Sequence, residues 1–212
     1  MKSIVTLILG LTLPASHLAD EFPITINGCL LAPDTVCPGA DLRNADLSNL
    51  DLRGADLSQA DFSGANLSHT NLQGANLNGA RLQQITGLRL NLTRASVRGA
   101  DFQRASLKGM QGSYLFAQGA DFSGSDLAGA NLDFSRFSGA RLVNANLTAA
   151  SIEIAWLPKA DLNGATLIGA NLQEAKLGAA NLANADLTNA RIHYATFEGT
   201  YMEGCQACPF DW

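Results

Sequence analysis

The sequence predicts an all-β solenoid, a column of short coils stacked around a thin core, on three observations. Counting from Leu42 in steps of five, every position down to Met202 except Gly87, Gly112 and Ala117 carries Leu, Phe, Ile, Val or Met. Two residues before each of these positions the chain usually carries Ala, and one residue before it often carries Asp or Asn. A period of five is neither the 3.6 of a helix nor the 2 of a strand, so the chain turns a corner at every unit and returns the same two residues to an interior. The composition is 47% hydrophobic, much of it Ala, and 7% aromatic, so each unit buries one large side chain and one methyl. Stability then comes from stacking many coils.

Residues 1–19 precede this pattern. Met1-Lys2-Ser3, the apolar run Ile4 to Leu13 and the small-residue stretch ending at Ala19 read as a secretory signal peptide. The run is too short to span a bilayer as a helix, which takes about 20 residues. Cleavage is expected after Ala19, although His17 stands at the third residue back, where a small side chain is preferred. It would leave a mature chain with no membrane attachment and a charge of about −6 against −5 for the whole. An uncleaved anchor is the alternative.

Residues 20–37 are expected as an amino-terminal cap with Cys29 and Cys37, and 205–212 as a carboxy-terminal cap with Cys205 and Cys208, outside a repeat region of 38–204. An even cysteine count in an exported chain reads as disulfides. A rigid column separates the two ends by more than a disulfide spans, so the expected pairs are Cys29 with Cys37 and Cys205 with Cys208. The alternative for Cys205-Gln206-Ala207-Cys208 is a thiol-disulfide redox motif, but no strand-to-helix context of the thioredoxin kind surrounds it.

The units Ala45-Asp46-Leu47-Ser48-Asn49 and Ala55-Asp56-Leu57-Ser58-Gln59 resemble those of the pentapeptide-repeat family, over residues 38 to 204. The resemblance implies a right-handed quadrilateral β-helix, four units to a coil, with the central Leu or Phe and the preceding Ala pointing inward. The chain would make about eight coils, roughly 40 Å long at about 4.8 Å per layer. A small residue suits the inside of a tight corner, and Asp or Asn after it can bond nearby backbone at the turn.

Four units per coil makes twenty residues the stacking distance, which lets the surface be read. Leu42, Phe62, Leu82, Phe102 and Phe122 head one interior column. Beside it outside runs an acidic ladder, Asp41, Asp61, Asp101, Asp121 and Asp161, relieved by Arg81 and Arg141. Where the frame breaks, in Gln83 to Leu92 and Met110 to Ala117, bulges are expected, with Ile85, Leu88, Leu90, Leu115 and Phe116 available to refill the core. Tyr114, Phe134, Ile154, Glu174 and Tyr194 share one outward column, and Phe116, Arg136, Trp156 and Lys176 share the column two positions on. An edge of aromatics with Arg and Lys has the composition of a protein interface. The candidate interface is therefore Tyr114, Phe116, Phe134, Arg136, Ile154, Trp156, Lys176 and Tyr194, unless the carboxy-terminal segment Gln206 to Trp212 covers it.

No reaction centre is evident. Beyond His17 there are only His69 and His193, and Asp133, Glu153 and His193 fall in different layers, so no catalytic, cofactor or metal site is expected. Acceptor patterns for glycosylation such as Asn66-Leu67-Ser68 arise from the repeat itself. A net charge of −5 argues against a general nucleic-acid binder. The reading is a non-enzymatic exported scaffold whose partner is a protein or a second copy. Resemblance to exported members in cyanobacteria and plastids implies the periplasm or thylakoid lumen. Two alternatives stand beside it: a DNA mimic that binds DNA gyrase, as some cytoplasmic members of the family do, and a redox protein using Cys205 and Cys208.

Overall fold

Each five-residue unit closes with a tight turn whose third residue has positive φ. In the unit centred on Leu42, Asn44 has φ 55° and the Ala45 N–H donates to the Leu42 carbonyl at 3.2 Å. That is the type II pattern, which favours Gly or Asn at the third residue; Gly54, at φ 68°, fills the same place two units later. The residue before each central position is extended and bridges in parallel to the residue twenty further on. Val36↔Asp56, Asp41↔Asp61, Asp46↔Asn66 and Asp51↔Asn71 start the four walls. The computed structural model describes residues 24–209, and in it these ladders run unbroken from Val36 to Gln206. The result is a right-handed quadrilateral β-helix of about eight coils, without helix among the described residues.

Asp and Asn hold the corners as side-chain acceptors. The Ser48 N–H donates to Asp46 Oδ1 at 3.1 Å and the Ser68 N–H to Asn66 Oδ1 at 3.1 Å. Asn66 Nδ2 also donates to Asp46 Oδ1 at 3.0 Å, so one side chain serves its own turn and ties two coils. At the amino terminus β1 (Ile24–Ile26) and β2 (Cys29–Leu31) form an antiparallel hairpin, and Asn27 Nδ2 reaches the Asp41 carbonyl at 2.8 Å.

The central residues from Leu42 to Leu187 are buried, Ile192 and Met202 at the far end are partly buried, and Phe102 and Phe122 stack at 4.6 Å and 6°. Thr70 takes an Ala position and donates its hydroxyl to the Leu47 carbonyl at 2.7 Å, satisfying a polar group inside the column.

The structure corrects two expectations. The bulges do not form: Asn66↔Thr86, Thr86↔Ser106, Asn91↔Gln111 and Gln111↔Asn131 keep the twenty-residue register through both imperfect stretches. Instead the large side chain has moved two residues back. Ile85 precedes Gly87, Met110 precedes Gly112 and Leu115 precedes Ala117, and all three sit in the interior where Ala is usual. Leu90 is buried too, while Leu88 and Phe116 stay on the outside. The backbone needs no extra residue because a side chain entering from the neighbouring inward position reaches the same volume.

The second correction concerns the cysteines. Cys37 and Cys205 are not outside the repeat: the Cys37 N–H donates to the Asp56 carbonyl at 2.8 Å, as each central residue does one coil below, and Cys205 is buried in an Ala position. Each bonds a cysteine beyond the ladder, Cys37 to Cys29 and Cys205 to Cys208, with Cα atoms 5.8 Å apart in both pairs.

Candidate interaction face

The corner residues of one edge contradict what the turn prefers. Position three of these turns takes Gly at Gly54 and Gly74, but further along the same column it takes Tyr114 (φ 61°), Phe134 (φ 60°) and Ile154 (φ 56°). The left-handed conformation costs an L-residue on the order of 1 kcal/mol, and bulky or β-branched side chains are uncommon there. The column continues with Glu174 and Tyr194 at φ 57° and 59°.

Stacking by coil builds these residues into a surface. The Tyr114 and Phe134 rings lie 4.9 Å apart at 8°, and the Arg94 guanidinium, one coil earlier, sits 5.7 Å from the Tyr114 centroid. Phe116 has Arg98 at 5.1 Å and Arg136 at 5.5 Å from its centroid. Between the two columns runs a groove of about 580 Å³, lined by Tyr114, Gln118, Phe134, Ser135, Arg136, Ser138, Ile154 and Trp156. Trp156 is 53% exposed and Phe134 43%.

Five residues of the sequence-predicted interface therefore line one groove: Tyr114, Phe134, Arg136, Ile154 and Trp156. Phe116 flanks it beneath its two arginines. Lys176 and Tyr194 lie further along the prism, with Tyr194 against His193 at 3.8 Å between centroids. Arg94, Arg98, Gln118 and Ser138 were not singled out from sequence, yet Arg94 stands twenty residues before Tyr114, and Arg98, Gln118 and Ser138 form the twenty-residue column two positions on from Phe116. Of the carboxy-terminal segment, Gln206 pairs with Asp186 on the wall two corners round from Phe116, while Phe210 to Trp212 lie outside the described residues. Residues 1–19, expected as a signal peptide, lie outside them as well.

Elsewhere the polar groups serve one another. Arg81 meets Asp61 at 3.1 Å, and Arg141 meets Asp121 at 3.5 Å and Asp161 at 3.8 Å, so arginines break the acidic ladder into neutralised steps. Asp133 accepts from the Ser151 hydroxyl at 2.5 Å and the Glu153 N–H at 2.9 Å, and Glu153 from Asn171 at 2.9 Å. Among the described residues no group of three His, Cys, Asp or Glu is placed to hold a metal ion, and no helix is long and apolar enough to cross a membrane.

The turn carboxylates also set an acid limit. The Arg43 side chain, hydrogen-bonded to Asp41, pulls that carboxyl down to about 2. Arg53 lowers Asp51, and hydrogen bonds from Ser48 and Thr188 lower Asp46 and Asp186. At Asp61 burial pushes upward, but the bonds from Ser63 and Arg81 outweigh it. A carboxylate depressed in the folded state stabilises the fold above its unfolded pKa of about 4 and loses that contribution as pH falls towards its folded value. Thermal melts should thus be flat from neutrality to about pH 4 and fall modestly between pH 4 and 2; a maximum below pH 4 contradicts the assignment.

Comparison with known proteins gives a consistent picture. The family model "Pentapeptide repeats" matches in eight copies over residues 34–59, 45–84, 70–109, 118–153, 145–182 and 170–205. Among solved structures, HetL, a pentapeptide repeat protein involved in heterocyst differentiation regulation in the cyanobacterium Nostoc sp. strain PCC 7120, is 28% identical, with 80% of this chain and 87% of that chain covered and a TM-score of 0.53. QnrB1, a plasmid-mediated fluoroquinolone resistance protein, is 21% identical over 79% of this chain and 91% of its own, with a TM-score of 0.49. Rfr23 from the cyanobacterium Cyanothece 51142 is 33% identical over 43% of this chain and 63% of its own, at a TM-score of 0.43. No curated protein matches the chain.

Proposed function

The chain belongs to the pentapeptide-repeat family, and from that premise we propose that it is a non-enzymatic scaffold that binds a protein through the aromatic edge. One observation carries this reading: Tyr114, Phe134 and Ile154 occupy left-handed corner positions where Gly would be unstrained, and their side chains line a groove instead of filling the core. Every unit has a left-handed corner, but bulky and β-branched side chains suit it least, and their succession along one edge supports a role for that edge. The leader and the disulfide-bonded ends support an exported protein, in the periplasm or a thylakoid lumen, and mass spectrometry of the native protein tests this by an amino terminus near Asp20 and no free thiol.

Phe134→Ala with Trp156→Ala should weaken the complex with the natural protein partner, or a self-association, by at least about 2 kcal/mol while leaving the monomer's melting temperature nearly unchanged. Ile154→Gly adds a sharper control. It should raise thermal stability slightly by relieving the corner, yet weaken the same complex. Sedimentation of wild type and variants with the co-purified partner reads the binding, and unchanged association in all of them defeats the proposal. A DNA mimic acting on a type II topoisomerase is the competing reading; it calls for a continuous anionic wall, which Arg81 and Arg141 interrupt.

A further inference from the structure

Resting on that reading, we infer that the occupant of the groove is an extended acidic peptide segment of the partner, with apolar side chains alternating with carboxylates. Charge selects it. On the acidic ladders Arg43, Arg53, Arg81 and Arg141 each pair with an aspartate. Among the described residues Arg89, Arg94, Arg98, Arg104, Arg136, Lys159, Lys176 and Arg191 form no ion pair, on a chain whose net charge is −5, and of these Arg94, Arg98 and Arg136 lie against the Tyr114 and Phe116 rings at the groove. Asp133 and Glu153, which precede Phe134 and Ile154 in the chain, are held by Ser151 and Asn171, and Glu174 lies one coil past Ile154. The guanidinium carbons of Arg98 and Arg136 stand 5.1 and 5.5 Å from the Phe116 centroid; Arg98 Nη1 donates to Ser96 Oγ at 3.2 Å, and the N–H groups that remain form the kind of fork that matches a carboxylate.

Two of the rings disfavour stacked nucleobases. Tyr114 lies between Arg94 and Phe134, and Phe116 between Arg98 and Arg136, so the faces of these two are taken and Trp156 alone offers an unstacked indole to the groove. A base needs a free face; a leucine or phenylalanine side chain does not.

The test is fluorescence anisotropy of the full chain with two labelled peptides of about ten residues, one alternating Glu with Leu and Phe, its twin carrying Lys in place of Glu, and a single-stranded DNA oligonucleotide as competitor. The acidic peptide should bind at least about tenfold more tightly than the lysine twin. Arg98→Gln with Arg136→Gln should erase that preference, and Phe134→Ala with Trp156→Ala should abolish binding, circular dichroism confirming that both variants fold. Equal binding of the twins, an unaffected arginine variant, displacement by DNA at lower concentration than by unlabelled acidic peptide, or no binding up to about a millimolar overturns the inference. If the natural complex depends on Phe134 and Trp156 while the peptides show none of this, the acidic-segment inference falls and the scaffold reading stands. If the complex is also indifferent to those residues, both fall.

Discussion

Leu132→Asp lowers the unfolding free energy by at least about 4 kcal/mol, while Asn131→Ala, one residue away, costs at most about 1 kcal/mol. Leu132 is 1% exposed in the middle of the column, and its neighbours above and below are Gly112 and Ile152 at the same wall. Replacing it removes a buried leucine and leaves a carboxylate with apolar surroundings and no cation in reach. Asn131 faces outward; its Oδ1 accepts from the Asp133 N–H at 3.1 Å and the Ser113 hydroxyl at 2.9 Å, and both donors can turn to water. Urea titration followed by far-ultraviolet circular dichroism separates the two. Because a solenoid is held by contacts between neighbouring coils, a break at its centre should also broaden the transition as the two halves uncouple. Equal midpoints for the two variants contradict an interior position for the period-five frame.

That frame made most of the fold legible. A residue inward every five positions leaves no alternative to turning at each unit, and twenty-residue stacking then places each outward side chain beside its neighbours one coil away. Tyr114, Phe134, Ile154 and Trp156 therefore fall together by sequence position alone. Two kinds of information were not legible. Periodicity states which way a side chain points but not the backbone angle beneath it, so the left-handed strain at Ile154, the strongest sign that the edge is more than surface, had no signature of its own. Nor does periodicity show how two inward positions share volume. The gaps at Gly87 and Gly112 suggested bulges because each position was judged separately, whereas the coil is filled by the pair. The stacking of Arg98 and Arg136 on Phe116 is a side-chain choice between a ring and a carboxylate, and both lay within reach of the count.

The shared volume at Met110 and Gly112 leads to the second large effect, a pair of substitutions that is harmful singly and mild together. A Cβ placed on Gly112 would lie 2.9 Å from Leu132 Cδ2 and 3.2 Å from Met110 Cε, so those two side chains already occupy the space of the usual central leucine. Gly112→Leu alone forces a full side chain into that space and should cost at least about 3 kcal/mol, at the upper end for overpacked cores. Met110→Ala alone empties it and should cost about 2 to 5 kcal/mol. Met110→Ala with Gly112→Leu restores the Ala and Leu arrangement found in the regular units, and the backbone register at Gln111, bridged to Asn91 and Asn131, already fits that arrangement. The double variant should therefore come within about 1 kcal/mol of wild type, a favourable coupling of at least about 4 kcal/mol, well above the few tenths by which independent sites depart from additivity. Denaturant midpoints of the four proteins measure the coupling. Additive losses would mean that Met110 and Gly112 do not fill one volume, and that this coil is closed in some way other than by moving its large side chain two residues along the chain.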